Sequence, residues 1–186
     1  LLRSARRYDI IVVDTSPPLY SSGAVNLYTK EFMELTRSRL TEGGIFTLWL
    51  PLEAYEADYW SILRSMSDTF PFVSVWTAPE FSGILCLGTN KPLELDEKTL
   101  DRRIRSRTTL KLVPWLNGKV LRDGFVLGPE EVRRLTAPHQ PVTDDRPRTE
   151  FPLRRMLRGE PVVKDARFLA RAREGKRTPP SGGDAD

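Results

Sequence analysis

Apolar positions along this chain alternate between short continuous runs and stripes at helical spacing. Ile10 to Val13 is an unbroken β-branched run, introduced by Tyr8-Asp9 and closed by Asp14. Such a run predicts a strand in the middle of a parallel sheet, covered on both faces. Residues 15–26 are rich in Ser, Pro, Gly and Asn and read as a loop. Thr29 is placed to cap a helix over about 30–39, with Phe32, Leu35 and Leu40 as its buried stripe. Gly43-Gly44 reads as the end of that helix, and Ile45 to Leu50 as the next strand, stopped by Pro51. A second helix is predicted over about 56–69, with Tyr59, Trp60, Leu63 and Met66 inward. Strands follow at about 72–77 and at Gly83 to Gly88, and the Pro79 to Ser82 segment between them suggests an antiparallel pair.

This order predicts an α/β sheet with right-handed crossovers. After Pro92 the texture changes. Asp96 to Arg107 reads as a charged amphipathic helix with Leu100 and Ile104 on its apolar side, and residues 110–128 as turns between short extended pieces. Gly128-Pro129-Glu130-Glu131 opens a short helix to about Leu135, with proline in its first turn. One or two helical turns at 153–158 and a helix over 161–173 complete the pattern. The expected organisation is an α/β unit over 1–92, an irregular extension over 93–174 that packs on it, and a disordered tail over 175–186. Leu1 to Arg7 reads as the last turns of a helix already under way, the mark of a fragment.

Charge modifies this picture only locally. The net charge is +4 with a pI near 9.4. The excess gathers in Arg102, Arg103, Arg105 and Arg107 and again in Arg154, Arg155, Arg158, Arg167, Arg171 and Arg173. We read these as a solvated face plus the tail, although a basic surface also suits nucleic acid or an acidic partner. No stretch approaches the roughly 20 apolar residues that a membrane helix needs. The single Cys86 lies in an apolar run and reads as a small buried hydrophobe. His139, the single histidine, has no partner at ligand spacing, so no metal site is expected. Ser16 and Ser21 lack the Gly-x-Ser-x-Gly elbow of a serine hydrolase.

Chemistry, if present, belongs beyond the carboxyl ends of the strands. Asp14 follows the first strand directly, and Thr15-Ser16-Pro17-Pro18-Leu19-Tyr20 projects over the same edge. A carboxylate there can hold an amine-bearing substrate, or it can simply cap nearby backbone amides. Asp144-Asp145-Arg146 reads as a loop fixed by its own hydrogen bonds, with a second acidic patch as the alternative. Among the aromatic residues Trp49, Trp60, Trp76, Trp115, Tyr28 and Tyr55, most read as core. Trp49, ending the strand expected beside Asp14, is the one best placed to pack on a cationic ligand.

Several segments together carry a family resemblance. Tyr8-Asp9-Ile10-Ile11-Val12-Val13-Asp14, Asn26-Leu27-Tyr28-Thr29-Lys30-Glu31-Phe32, Leu40-Thr41-Glu42-Gly43-Gly44-Ile45-Phe46 with Trp49-Leu50-Pro51, and Thr143-Asp144-Asp145-Arg146-Pro147 with Glu150-Phe151 occur in order. They resemble the spermidine synthase family, and most closely its bacterial, membrane-fused branch. The resemblance covers about residues 1–90 and 143–151. It implies the C-terminal half of a Rossmann-like, class I methyltransferase-type sheet. It also implies aminopropyl transfer from decarboxylated S-adenosylmethionine to a polyamine or other small amine.

On this resemblance Asp14 is the catalytic residue that positions the amine, and Ser16, Tyr20, Tyr28 and Trp49 bind substrate. The family's Asp-x-x-Asp-Pro motif departs here, because its second Asp, the proposed base, falls on Pro17, which cannot take a proton. The glycine-rich loop and acidic residue that bind the adenosyl cofactor have no counterpart before Tyr8, so the cofactor-binding residues are unknown and this fragment alone is expected to bind none. The implied partners are the missing N-terminal half and, through strand edges left open, a second copy; poor solubility is the other expectation for such edges. The implied location is cytoplasmic, as a free domain or behind a membrane anchor. A non-catalytic module that binds a polyamine or a protein is the alternative. Ser16-Pro17-Pro18-Leu19-Tyr20 also resembles the Ser-Pro-Pro-Tyr motif of amino-methylating DNA methyltransferases, but Leu19 breaks the spacing and nucleic acid is set aside.

Overall fold

The computed structural model describes residues 5–14, 23–77, 83–93, 96–105, 116–150 and 153–176. Strands β1 (Tyr8–Asp14), β2 (Leu40–Pro51), β4 (Phe72–Thr77), β5 (Gly83–Thr89) and β6 (Phe125–Leu127) form one sheet in the order β1-β2-β5-β4-β6. A second ladder pairs β3 (Ala54–Tyr55) with β7 (Val162–Val163). Only β1 and β2 pair in parallel; β5 runs antiparallel to both β2 and β4, and β6 antiparallel to β4. Two successive reversals leave β1, β2 and β4 pointing the same way, so their carboxyl ends share one edge.

Helices α1 (Lys30–Ser38), α2 (Glu56–Thr69) and α5 (Pro129–Thr136) accompany the sheet, with α3 (Glu97–Arg105), α4 (Gly118–Asp123), α6 (Leu153–Leu157) and α7 (Arg167–Arg173) among the later segments. None of the described helices is long and apolar enough to cross a membrane. Thr29 caps α1 as expected, its hydroxyl accepting from the Phe32 amide at 3.3 Å. The buried positions of α1 are Met33 and Thr36, with Phe32 and Leu35 half-buried, so the apolar stripe is rotated from the expected one. Tyr59, Trp60, Leu63 and Met66 of α2 all point inward. They join Phe46, Leu48 and Leu50 from one face of β2 and Val132 from α5 in a single core. Phe46 stacks on Phe70 at 5.5 Å between centroids, and a side chain on Gly88 would run into that Phe70 ring at 2.7 Å.

The structure corrects several expectations. Gly43-Gly44 does not end a helix: α1 stops at Ser38, and both glycines lie inside β2, which begins at Leu40. A Cβ on Gly44 would stand 3.0 Å from the Tyr8 carbonyl, so Gly44 lets β2 pass close to β1 where their register shifts. Ala5–Arg7 are not helical. Residues 118–123, expected to be turn and extended chain, form α4, capped by the Asn117 side chain accepting from Val120 N at 2.9 Å. The predicted helix over 161–173 divides into β7 and the shorter α7. Residues from 177 onward, expected to be disordered, lie outside the described residues.

The largest correction concerns β1. It was expected to be an inner strand covered on both faces, yet among the described residues it pairs only with β2 and forms the edge of the sheet. Ile11 and Val13 pack toward the core, while Ile10 and Val12 are 61% and 65% exposed. An apolar strand with one uncovered face and one unpaired edge is unusual for an isolated domain.

The Thr143–Pro147 loop is structural in this fold. The Val142 amide donates to buried Ser65 Oγ at 2.9 Å, and the Val142 carbonyl accepts from Lys30 N at 2.8 Å. Asp144 N donates to Glu31 Oε2 at 3.1 Å, and Thr143 Oγ1 donates to Asp145 Oδ1 at 2.6 Å. That hydroxyl holds the Asp145 carboxyl below its usual range. The loop therefore ties the start of α1 to the middle of α2.

Candidate amine-facing edge

In parallel strands, residues facing each other across the ladder point to the same face of the sheet. Asp14 is registered with Trp49, Val12 with Thr47 and Ile10 with Ile45. These six side chains form the face of β1–β2 turned away from the core, and Asp14 with Trp49 stands at its carboxyl end. Asp14 is exposed and Trp49 half-buried. The two residues singled out from sequence are thus neighbours on one surface.

Trp49 owes its position to Gly83, its near neighbour on antiparallel β5. A Cβ at Gly83 would stand 2.6 Å from the indole Cε2 and 2.7 Å from the Leu50 carbonyl. Only a residue without a side chain leaves room for the ring to lie down over β5. Gly83→Ala is therefore expected to lower stability by about 1–3 kcal/mol through overpacking and to tilt the indole off the sheet. Thermal melts together with near-ultraviolet circular dichroism of the tryptophans check both effects.

The other expected substrate contacts fare differently. Ser16 and Tyr20 lie outside the described residues, as does Trp115. Tyr28 is 1% exposed, directly before the α1 cap. Trp60 is core as well, and Trp76, aligned with Trp49 through Leu85 on the same face of the sheet, packs edge-on against Phe125 at 5.1 Å. Cys86 is fully buried, and loss of solvation pushes its thiol far above the usual range, as expected for an inert small hydrophobe. His139 sits 6.1 Å from the Trp60 ring, where burial lowers its basicity. No group of His, Cys, Asp and Glu suited to a metal ion occurs among the described residues.

Beneath this edge lies a feature that sequence reasoning missed. Asp58 on α2 is completely buried and forms an ion pair with Arg155 of α6 at 2.8 Å; Glu160 lies 3.7 Å from the same guanidinium. Arg155, expected on a solvated basic face, is 14% exposed at its side chain. Leu153, Met156 and Leu157 of the same helix face outward instead, at 62%, 67% and 77% exposure. The inverted helix follows from the charge, because a buried carboxylate demands a partner. From Glu160 the chain continues into β7, whose Val163 carbonyl accepts from Glu53 N at 2.8 Å, while Pro161 accepts from Glu56 N at 3.2 Å. The ion pair thus supports the turn that follows β2. At that turn Tyr59 Oη donates to the Pro51 carbonyl at 2.5 Å, fixing the strand end from below.

The sheet order, the shared carboxyl edge and the acid at its tip define a class I methyltransferase-type, Rossmann-like α/β unit. A crystallised spermidine synthase in complex with the transition-state analogue AdoDATO aligns with a TM-score of 0.51 and 20% identity, over 69% of this chain and 44% of that one. That likeness shows the fold. Sequence gives the family: the chain is 31% identical over 157 residues to polyamine aminopropyltransferase 2 of Pseudomonas aeruginosa, covering 78% of this chain and 44% of that one. It is also 30% identical over 114 residues to a polyamine aminopropyltransferase of Pyrobaculum calidifontis, covering 57% of this chain and 39% of that one. No family model matches the chain. The chain belongs to the spermidine synthase family, and it spans less than half the length of these curated relatives.

Proposed function

We propose that this chain is the amine-facing half of an aminopropyltransferase-type domain. Its counterpart is the N-terminal half of the same domain, which pairs with the open edge of β1 and covers Ile10 and Val12. The observation that carries this reading is the register pairing of Asp14 with Trp49 on the open face, at the edge where β1, β2 and β4 end. Asp14 supplies a carboxylate that orients the attacking amine, and the Trp49 indole offers a face to its methylenes and ammonium groups. The names of the curated relatives support the reaction class.

The donor, decarboxylated S-adenosylmethionine, does not fit the residues of this chain alone. The residues that follow β1, β2 and β4 in sequence (15–22, 52–53 and 78–82) contain no glycine, so no glycine-rich phosphate or adenosyl loop is encoded there. We therefore assign the donor side to the counterpart half and the amine side to this one. Pro17, standing where the family places its second carboxylate, favours a second reading in which the site binds a polyamine without turning it over.

A polypeptide carrying both halves, incubated with decarboxylated S-adenosylmethionine and putrescine or spermidine, separates the two. Mass-spectrometric detection of an amine longer by one aminopropyl group is the expected result. Polyamine binding without product from any amine leaves the binding module, and absence of polyamine binding removes both readings.

A further inference from the structure

Helix α6 faces the wrong way for its composition. Leu153, Met156 and Leu157 stand at i, i+3 and i+4, so they share one side of the helix, and all three are exposed. A surface helix ordinarily turns such a stripe inward. Here the other side is anchored instead: Arg155 reaches the buried Asp58 at 2.8 Å and Glu160 at 3.7 Å. The helix end is closed as well, with the Gly159 amide donating to the Met156 carbonyl and the Glu160 amide to the Arg155 carbonyl, both at 3.1 Å. The apolar stripe is therefore presented to solvent by a held helix. A buried ion pair that keeps apolar side chains outside marks them as a contact surface.

The charges beside the stripe say what covers it. Arg158 and Lys164 are exposed and have no ion pair among the described residues. The acids of the same stretch are engaged, Glu160 by Arg155 and Asp165 by Arg167 at 2.6 Å. The uncompensated charge at the rim is positive. A two-fold contact through so small a stripe would bring the Arg158 groups of two copies together, which their like charge opposes. Three side chains also fall short of the roughly 800 Å² per partner that a stable protein interface buries. A bilayer surface asks for less. A few apolar side chains enter the boundary between headgroups and acyl chains, and neighbouring cations sit among the anionic phosphates.

We propose that the outward face of α6 docks on anionic lipid surfaces, with Leu153, Met156 and Leu157 inserted and Arg158 and Lys164 at the phosphates.

Flotation of the full chain with vesicles of phosphatidylcholine alone, or of equal parts phosphatidylcholine and phosphatidylglycerol, tests this. Wild type should bind the mixed vesicles at least about tenfold more tightly than the neutral ones and lose that excess in high salt. Leu157→Gln should weaken binding about tenfold, and Arg158→Gln about fivefold, the effect of one cation near an anionic surface. Arg102→Gln, which removes an exposed cation on α3, should bind as wild type does. All three variants should keep the wild-type melting temperature, since each changes an exposed side chain. Equal weakening by Arg102→Gln and Arg158→Gln, with Leu157→Gln unchanged, would reduce the effect to the diffuse attraction of a basic chain and overturn the proposal. Failure of wild type to float with either vesicle overturns it too, and a concentration-dependent dimer abolished by Leu157→Gln would then assign the stripe to a second copy.

Discussion

Replacing Arg155 with alanine is expected to lower stability by about 3–5 kcal/mol, because it strands the Asp58 carboxylate in the interior. The Asp58 side chain is completely inaccessible and pairs with Arg155 at 2.8 Å. For a chain of this size the melting temperature should fall on the order of 10 °C. The double variant Asp58→Leu/Arg155→Leu removes both charges and should recover most of that loss, since a buried ion pair and an apolar pair of similar volume are close in free energy. Urea denaturation of wild type, the single variant and the double variant checks the sign of the coupling. Recovery would show that the pair exists to neutralise Asp58, whereas an equally unstable double variant would show that α6 depends on the arginine itself. Loss of the pair should also loosen β7, and through it the turn carrying Glu53.

Asp14→Asn is expected to act in the opposite manner, leaving the fold intact and removing function. Asp14 is exposed at the end of an edge strand, so the melting temperature should hardly move. In the protein carrying both halves, kcat/KM for the amine should fall on the order of 100-fold, the scale of a lost orienting group. Steady-state kinetics with the donor held saturating separates this from any effect on donor binding. An unchanged kcat/KM would mean that Asp14 only caps backbone amides near the strand end.

The elements that depend on short-range signals were legible from sequence. Thr29 announced its helix because a cap is a local hydrogen bond, and Tyr59, Trp60, Leu63 and Met66 announced a buried face because spacing alone decides it. The Asp14–Trp49 neighbourhood was legible too, since two strands joined by one helix usually lie side by side. The edge position of β1 was not legible in its apolar run, although the family resemblance implied open strand edges. A continuous β-branched run is the same whether the covering face belongs to this chain or to another segment, and only the exposure of Ile10 and Val12 tells them apart. Gly43-Gly44 misled because glycine serves both as a helix stop and as a point of close strand approach. The Asp58–Arg155 pair was hidden because its members are far apart in sequence and each looks like an ordinary surface charge.

The central claim is that the open face of β1 and β2, at Asp14 and Trp49, receives an amine. The most direct measurement is a spermidine titration followed by the indole N–H resonance of Trp49, assigned with a Trp49→Phe variant, in wild type and in Asp14→Asn. The account predicts a saturable shift of that resonance in wild type that is lost or strongly weakened in Asp14→Asn. A Trp49 resonance that stays still while signals move around Arg7, Arg37 and Glu42, at the opposite end of the strands, would contradict it.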